Sequence, residues 1–136
     1  MRNIIPSILL IMGILFSMAV DAQESGALDG KKFLIQLKRK GWKPSRWKQD
    51  TLFFYEGKVV AIGLEERERF HGRSYHPVLK ETKTGTIVEF SYWNYNGTGS
   101  KLEISGTVNS DQIEGKAIWR SLAGEQQYKF TGVLVM

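Results

Sequence analysis

One short segment concentrates the residue types that meet anionic partners. Residues 38–48, KRKGWKPSRWK, place six cationic side chains around two indoles. Cations contact phosphate groups, and an indole can stack on a base or lie among lipid headgroups. The segment therefore predicts contact with an anionic envelope component or a partner protein, with nucleic acid less favoured. The residues expected to make this contact are Lys40, Trp42, Lys43, Arg46 and Trp47.

A structural role for the same segment is the alternative. A long loop can cover one end of the fold with its tryptophans while its lysine stems keep their charged ends in water. We predict that one of Trp42 and Trp47 packs into the protein and that the other is at least partly exposed. A large exposed apolar side chain indicates a partner.

A second segment, EERERFHGRSYH at residues 65–76, mixes charges of both signs and predicts a solvated loop. His71 and His76 with Glu66 or Glu68 have the residue types of a metal site. Their spacing matches no established template for metal ligands. We therefore expect no metal and no cofactor.

The inventory for catalysis is small. Cysteine is absent, His71 and His76 are the only histidines, and no Gly-x-Ser-x-Gly sequence occurs. Glu89, Glu103 and Glu114 are predicted to project outward, so they would not form a pair of carboxylates on one concave surface. A non-catalytic protein is favoured, and a small barrel enzyme is the second alternative.

Residues 1–22 are typical of a secretory signal peptide. An apolar run from Ile4 to Val20 follows a cationic start, and Val20-Asp21-Ala22 is a small-x-small cleavage site. The alternative is an uncleaved anchor, but the run is barely long enough to span a bilayer and Pro6 interrupts it. We expect export to the periplasm or medium, with no transmembrane segment after cleavage.

The remaining residues, 23–136, are long enough for one domain with a core of its own, and a monomer is expected. Without cysteine, neither disulfides nor a lipid-modified cysteine can form. The formal net charge of +5 favours anionic partners.

Period-2 alternation of apolar and polar residues predicts an all-β fold. Eight strands are expected, at 32–39, 51–56, 58–64, 74–80, 86–93, 101–109, 112–120 and 126–135.

Three glycines fall inside the last three predicted strands. Two-residue turns at Ser110-Asp111 and Ala123-Gly124 would align Gly106, Gly115 and Gly132 in one row. A row without side chains lets a sheet coil sharply and close, or leaves space for a ligand.

Eight sequential antiparallel strands after a signal peptide resemble the up-and-down barrel of lipocalin-like (calycin) proteins. Three motifs strengthen a resemblance to small exported bacterial proteins of this kind, which are largely uncharacterised. They are Leu28-Asp29-Gly30-Lys31, Gly57-Lys58, and the G-x-V-x-x-D-x-I-x-G pattern from Gly106 to Gly115. The resemblance implies an eight-stranded barrel whose last strand pairs with the first.

The inner faces of the predicted strands are rich in aromatic residues. An eight-stranded barrel is just wide enough to be filled by side chains or to hold one small ligand. The first hypothesis is a small apolar or amphipathic ligand in the interior, and the alternative is a filled barrel that acts through the basic segment. The interior positions expected to line a ligand are Phe33, Ile35, Phe54, Phe90, Tyr92, Trp119, Tyr128 and Phe130.

Overall fold

The computed structural model describes residues 26–136 and shows a nearly closed antiparallel β-barrel with one short helix. The predicted signal peptide, residues 1–22, lies outside the described residues. The elements are β1 (Lys32–Arg39), β2 (Gln49–Tyr55), β3 (Lys58–Ala61), α1 (Ile62–Glu68), β4 (Arg73–Ser74), β5 (His76–Thr82), β6 (Gly85–Tyr95), β7 (Lys101–Asn109), β8 (Gln112–Ser121) and β9 (Gly124–Leu134).

The strands form one sheet in the order β4-β3-β2-β1-β9-β8-β7-β6-β5. The last strand, β9, pairs with the first, from Phe33 opposite Leu134 to Arg39 opposite Tyr128, so that prediction is confirmed. The two edges of the sheet, β4 and β5, are consecutive in the chain and are separated by Tyr75 alone. The sheet therefore returns almost to its own start.

The third predicted strand, 58–64, is wrong beyond Ala61, where the chain turns into α1. The carboxylate of Asp50, on β2, accepts hydrogen bonds from the backbone N–H groups of Gly63 (2.7 Å) and Leu64 (3.2 Å). A carboxylate that satisfies the free N–H groups of a first turn stabilises a helix. The fourth predicted strand, 74–80, is divided into β4 and β5, so the described sheet has nine strands and not eight.

Half of the predicted glycine row is correct. Gly106 lies opposite Gly115, as the turn at Ser110-Asp111 predicts. Gly132 instead lies opposite Ile113, and Gly115 lies opposite Phe130. The β8–β9 turn is Leu122-Ala123 rather than Ala123-Gly124, since Ser121 pairs with Gly124. The resulting shift of two residues keeps every side chain on its predicted face, so alternation could not detect it.

Aromatic rings occupy the space that the paired glycines leave. A Cβ atom added to Gly115 would lie 2.6 Å from Cζ of Phe130, and one added to Gly106 would lie 3.0 Å from Cε1 of Phe90. Phe54 makes edge-to-face contacts with Phe90, at 5.2 Å between ring centroids, and with Phe33, at 6.1 Å. The glycines thus allow large rings to pack against the wall of the barrel.

Candidate functional site

The basic segment lies at the end of the barrel where β1 finishes and β2 begins, called here the upper end. Because neighbouring strands are antiparallel, the loop at residues 40–48, helix α1, the loop at residues 96–100 and the Leu122-Ala123 turn all belong to this end. The upper end therefore combines the longest basic loop with the turn that follows β8.

The second half of the loop is fixed to the core through Trp47. Its side chain is 2% exposed and packs edge-to-face on Tyr128 and Trp119, at 5.1 and 6.2 Å between ring centroids. Its indole Nε1–H donates to Oδ2 of Asp50 at 2.8 Å, and its backbone N–H donates to Oγ of Ser45 at 3.1 Å. This part of the loop therefore has a definite conformation.

Asp50 connects the loop to the helix. Besides the bonds from Trp47 and from α1, its Oδ1 accepts the backbone N–H of Thr51 at 2.7 Å. The carboxylate is buried, and four donors surround its two oxygens. A buried charge is tolerated when hydrogen bonds replace its water shell. Nothing in the sequence singled out this residue, because the N–H groups of α1 that it accepts are 13 and 14 residues away in the chain.

The first half of the loop extends into solvent. Trp42 is 88% exposed, and Lys40, Lys43 and Arg46 around it are exposed as well. With Trp47 buried and Trp42 exposed, the predicted split between the two indoles is confirmed. The structure brings Trp42 and the cations to one surface and places Trp47 beneath it as their support.

A second apolar side chain is exposed at the same end of the barrel as Trp42. Leu122, in the β8–β9 turn, is 99% exposed. The strands that lead to these two residues, β1 and β9, are neighbours in the sheet. Helix α1 carries Glu65, Glu66 and Glu68 at the same end, and Arg67 among them makes its charge mixed. The sequence shows that Leu122 lies between two strands but not that it lies at the same end of the barrel as the basic loop.

The predicted interior residues all face the core. Seven of them are buried, and Trp119 is partly buried against the core cluster; the seven are Phe33, Ile35, Phe54, Phe90, Tyr92, Tyr128 and Phe130. The hydroxyl of Tyr92 is buried and has no hydrogen-bond partner among residues 26–136. Burial, with the charge of Asp50 nearby, raises the pKa of Tyr92 above its usual value.

Two of the sequence motifs meet at the opposite end of the barrel, called here the lower end. Asp29 accepts the backbone N–H of Gly57, in the β2–β3 turn, at 2.9 Å and the hydroxyl of Tyr75 at 2.8 Å. The same hydroxyl accepts the backbone N–H of Leu28 at 3.0 Å. Burial and the Asp29 carboxylate raise the pKa of Tyr75. The Leu28–Lys31 and Gly57-Lys58 motifs therefore bind each other and close this end.

The histidines do not converge. Nδ1 of His71 lies 3.6 Å from Oε2 of Glu65, whereas His76 is on β5 and pairs with Ser91. Within residues 26–136 no three potential metal ligands come together.

A surface that the sequence reasoning missed lies on the outer wall of β6. Trp93 and Tyr95 are about half exposed and contact each other edge-to-face at 5.3 Å. The guanidinium of Arg73 lies 4.6 Å from the ring centroid of Trp93. Their positions alternate with Tyr92 and Asn94, which are buried, so the outward pair could have been found from the period of the strand.

No family model, curated protein or solved structure matches the chain. Among the helices of the described part of the chain, none has the length and apolar character needed to cross a bilayer. What the protein does is therefore inferred from its own geometry.

Proposed function

We propose that this protein is a non-catalytic module that binds an anionic membrane surface through its upper end, and that it meets this surface after export. The observation that carries the proposal is the exposed indole of Trp42, held on a loop whose other tryptophan is locked into the core. Exposed apolar groups surrounded by cations suit the interface of a bilayer, where aromatic rings lie at headgroup level.

The magnitudes indicate reversible binding. A cationic side chain near an anionic membrane contributes about 1 kcal/mol, so Lys40, Lys43 and Arg46 would supply about 3 kcal/mol together. Burying the side chains of Trp42 and Leu122 would add about 2 kcal/mol each. A sum of about 7 kcal/mol corresponds to a Kd between millimolar and micromolar. The rigid support below the loop limits the entropy that is lost on binding.

Vesicle sedimentation tests the proposal. The protein should bind vesicles containing phosphatidylglycerol, should bind phosphatidylcholine vesicles much less, and should be released as salt is raised. The variant Lys40→Ala/Lys43→Ala should bind roughly tenfold or more weakly. The matched control, Lys58→Ala/Lys83→Ala, removes the same charge from the lower end of the barrel and should bind almost as the parent does.

The indole has its own comparison. Trp42→Ala should weaken vesicle binding, whereas Trp93→Ala, which removes an indole from the barrel wall, should not. Equal binding of the two variants would exclude the upper end as the contact. Stronger retention on single-stranded DNA than on vesicles, lost in Lys40→Ala/Lys43→Ala, would assign the loop to nucleic acid instead.

An interior ligand is the second candidate, and the unpartnered hydroxyl of Tyr92 favours it. A small amphipathic molecule could offer this hydroxyl a hydrogen bond, although aromatic side chains such as Phe54 and Phe90 pack against each other in the core. Titration with a fluorescent fatty acid tests the idea. Saturable binding that Tyr92→Phe weakens and Trp42→Ala leaves unchanged would support it, and the absence of saturation would exclude it.

A further inference from the structure

The outer wall of the barrel carries a row of three lysines just below the basic loop. Lys38 on β1 lies directly opposite Lys129 on β9, and Lys129 lies directly opposite Lys116 on β8. All three side chains are exposed. Residues that pair directly in an antiparallel sheet point to the same face, and neighbouring strands are about 4.8 Å apart. Three positive charges therefore start within roughly 10 Å of one another.

This arrangement opposes folding unless something neutralises it, because like charges directly opposite each other are destabilising. Within residues 26–136, no carboxylate oxygen lies within 4.0 Å of any of the three ammonium groups. Elsewhere on the same wall, cations do have partners, such as Lys80 with Glu89 at 2.9 Å and Lys101 with Glu103 at 3.1 Å. What distinguishes the row is that its three cations lie directly opposite one another on neighbouring strands.

A groove runs along the row. It has a volume of about 560 Å³, and its lining includes the three lysines, Lys40 at the start of the basic loop, and Tyr128. Lys38 is the last residue but one of β1, so the row lies only about 3–7 Å below the end of that strand. The groove therefore adjoins the basic loop, whose Lys40 is one of its lining residues.

We propose that this groove binds the phosphomonoester headgroup of an anionic lipid. The inference rests on the proposed function and names the class of headgroup. A phosphomonoester carries about −1.5 to −2 charges at neutral pH, whereas the phosphodiester of an ordinary anionic lipid carries one. Three adjacent ammonium groups match the larger charge better, and lysine binds phosphate as a point charge without needing planar geometry.

The test compares two vesicle preparations of equal surface charge, one with phosphatidic acid and one with phosphatidylglycerol. The parent protein should bind phosphatidic acid at least about fivefold more tightly. Lys116→Gln/Lys129→Gln should lose this preference while it keeps its binding to phosphatidylglycerol. Lys40→Ala/Lys43→Ala should lose affinity for both. Equal binding of the parent to both preparations, or a preference that survives in Lys116→Gln/Lys129→Gln, would overturn the inference.

A soluble ligand separates failure of the groove from failure of the membrane proposal. Glycerol 3-phosphate is a phosphomonoester without a bilayer, and at millimolar concentration it should raise the unfolding temperature of the parent and not that of Lys116→Gln/Lys129→Gln. This result without vesicle binding would support the phosphate site and refute the membrane function. No rise in either protein, together with equal binding to both vesicles, would refute the phosphate site alone.

Discussion

Replacing Asp50 with asparagine should destabilise the barrel more than any other isosteric change at its upper end. The carboxylate accepts two hydrogen bonds at each oxygen, from Thr51 and Gly63 at Oδ1 and from Trp47 and Leu64 at Oδ2. An asparagine amide has the same shape, but one of its two terminal atoms is a donor. Whichever way the amide turns, two N–H groups then face an NH₂ group and lose their acceptor, and these are buried at Oδ2 and partly buried at Oδ1.

An unsatisfied buried donor costs about 1–3 kcal/mol, so Asp50→Asn should lower the free energy of unfolding by about 2–6 kcal/mol. Urea unfolding followed by tryptophan fluorescence measures this change, since Trp47 and Trp119 are part of the affected contact. Asp111→Asn, in the exposed β7–β8 turn, is the matched control and should change stability by less than about 0.5 kcal/mol. Should Asp50→Asn fall within the range of that control, the carboxylate would not hold the loop and helix together as described.

The remaining predictions concern the barrel wall, the core and acid stability. Gly115→Ala should lower the free energy of unfolding in urea by about 3 kcal/mol or more, because the added Cβ would lie 2.1 Å from the carbonyl oxygen of Ser105. Ser105→Ala is the control, and an equal loss of stability in the two variants would contradict the close approach of the strands. Tyr92→Phe should raise stability by about 1 kcal/mol, since it removes an unpartnered hydroxyl, and a loss of stability would mean that the hydroxyl is bonded. Burial raises the pKa of Tyr92, so above a pH of about 10 the unfolded chain loses this proton while the folded protein keeps it, and stability falls as pH rises further. Alkaline unfolding should therefore be less steep in Tyr92→Phe than in the parent. Hydrogen bonds from Lys101 and Arg120 lower the pKa of Glu103. The ionised carboxylate therefore stabilises the fold above the usual carboxyl pKa, and this stabilisation is lost as pH falls through the lower pKa of the folded protein. In a series of urea unfolding curves against pH, Glu103→Gln should lower the free energy of unfolding by less than about 1 kcal/mol, and only where the parent carboxylate is ionised.

Local sequence patterns predicted the all-β class of the fold and the inner face of the barrel. Alternation of apolar and polar residues is a local signal, so it identified the eight interior positions, including Phe90, Tyr92 and Phe130, without knowledge of their partners. It also determined the Gly106–Gly115 pair, because the two-residue turn between them lies within the same hairpin. The sequence also predicted that one of Trp42 and Trp47 is exposed and the other buried, although the alternation did not indicate which one.

Features that depend on contacts between distant segments became visible only in the folded protein. Residues 62–64 continue a strand-like pattern, but Asp50 on a neighbouring strand supplies the carboxylate that begins a helix there. The β8–β9 register differs from the predicted one by two residues, and every side chain stays on its predicted face. The alternation therefore could not distinguish the two registers, and the observed one depends on packing of Phe130 against Gly115 and of Gly132 against β1. Lys38, Lys116 and Lys129 become one row because β9 pairs with both β1 and β8. Charges far apart in the chain interact only after the register is set, and for this reason the row could not be seen in the sequence.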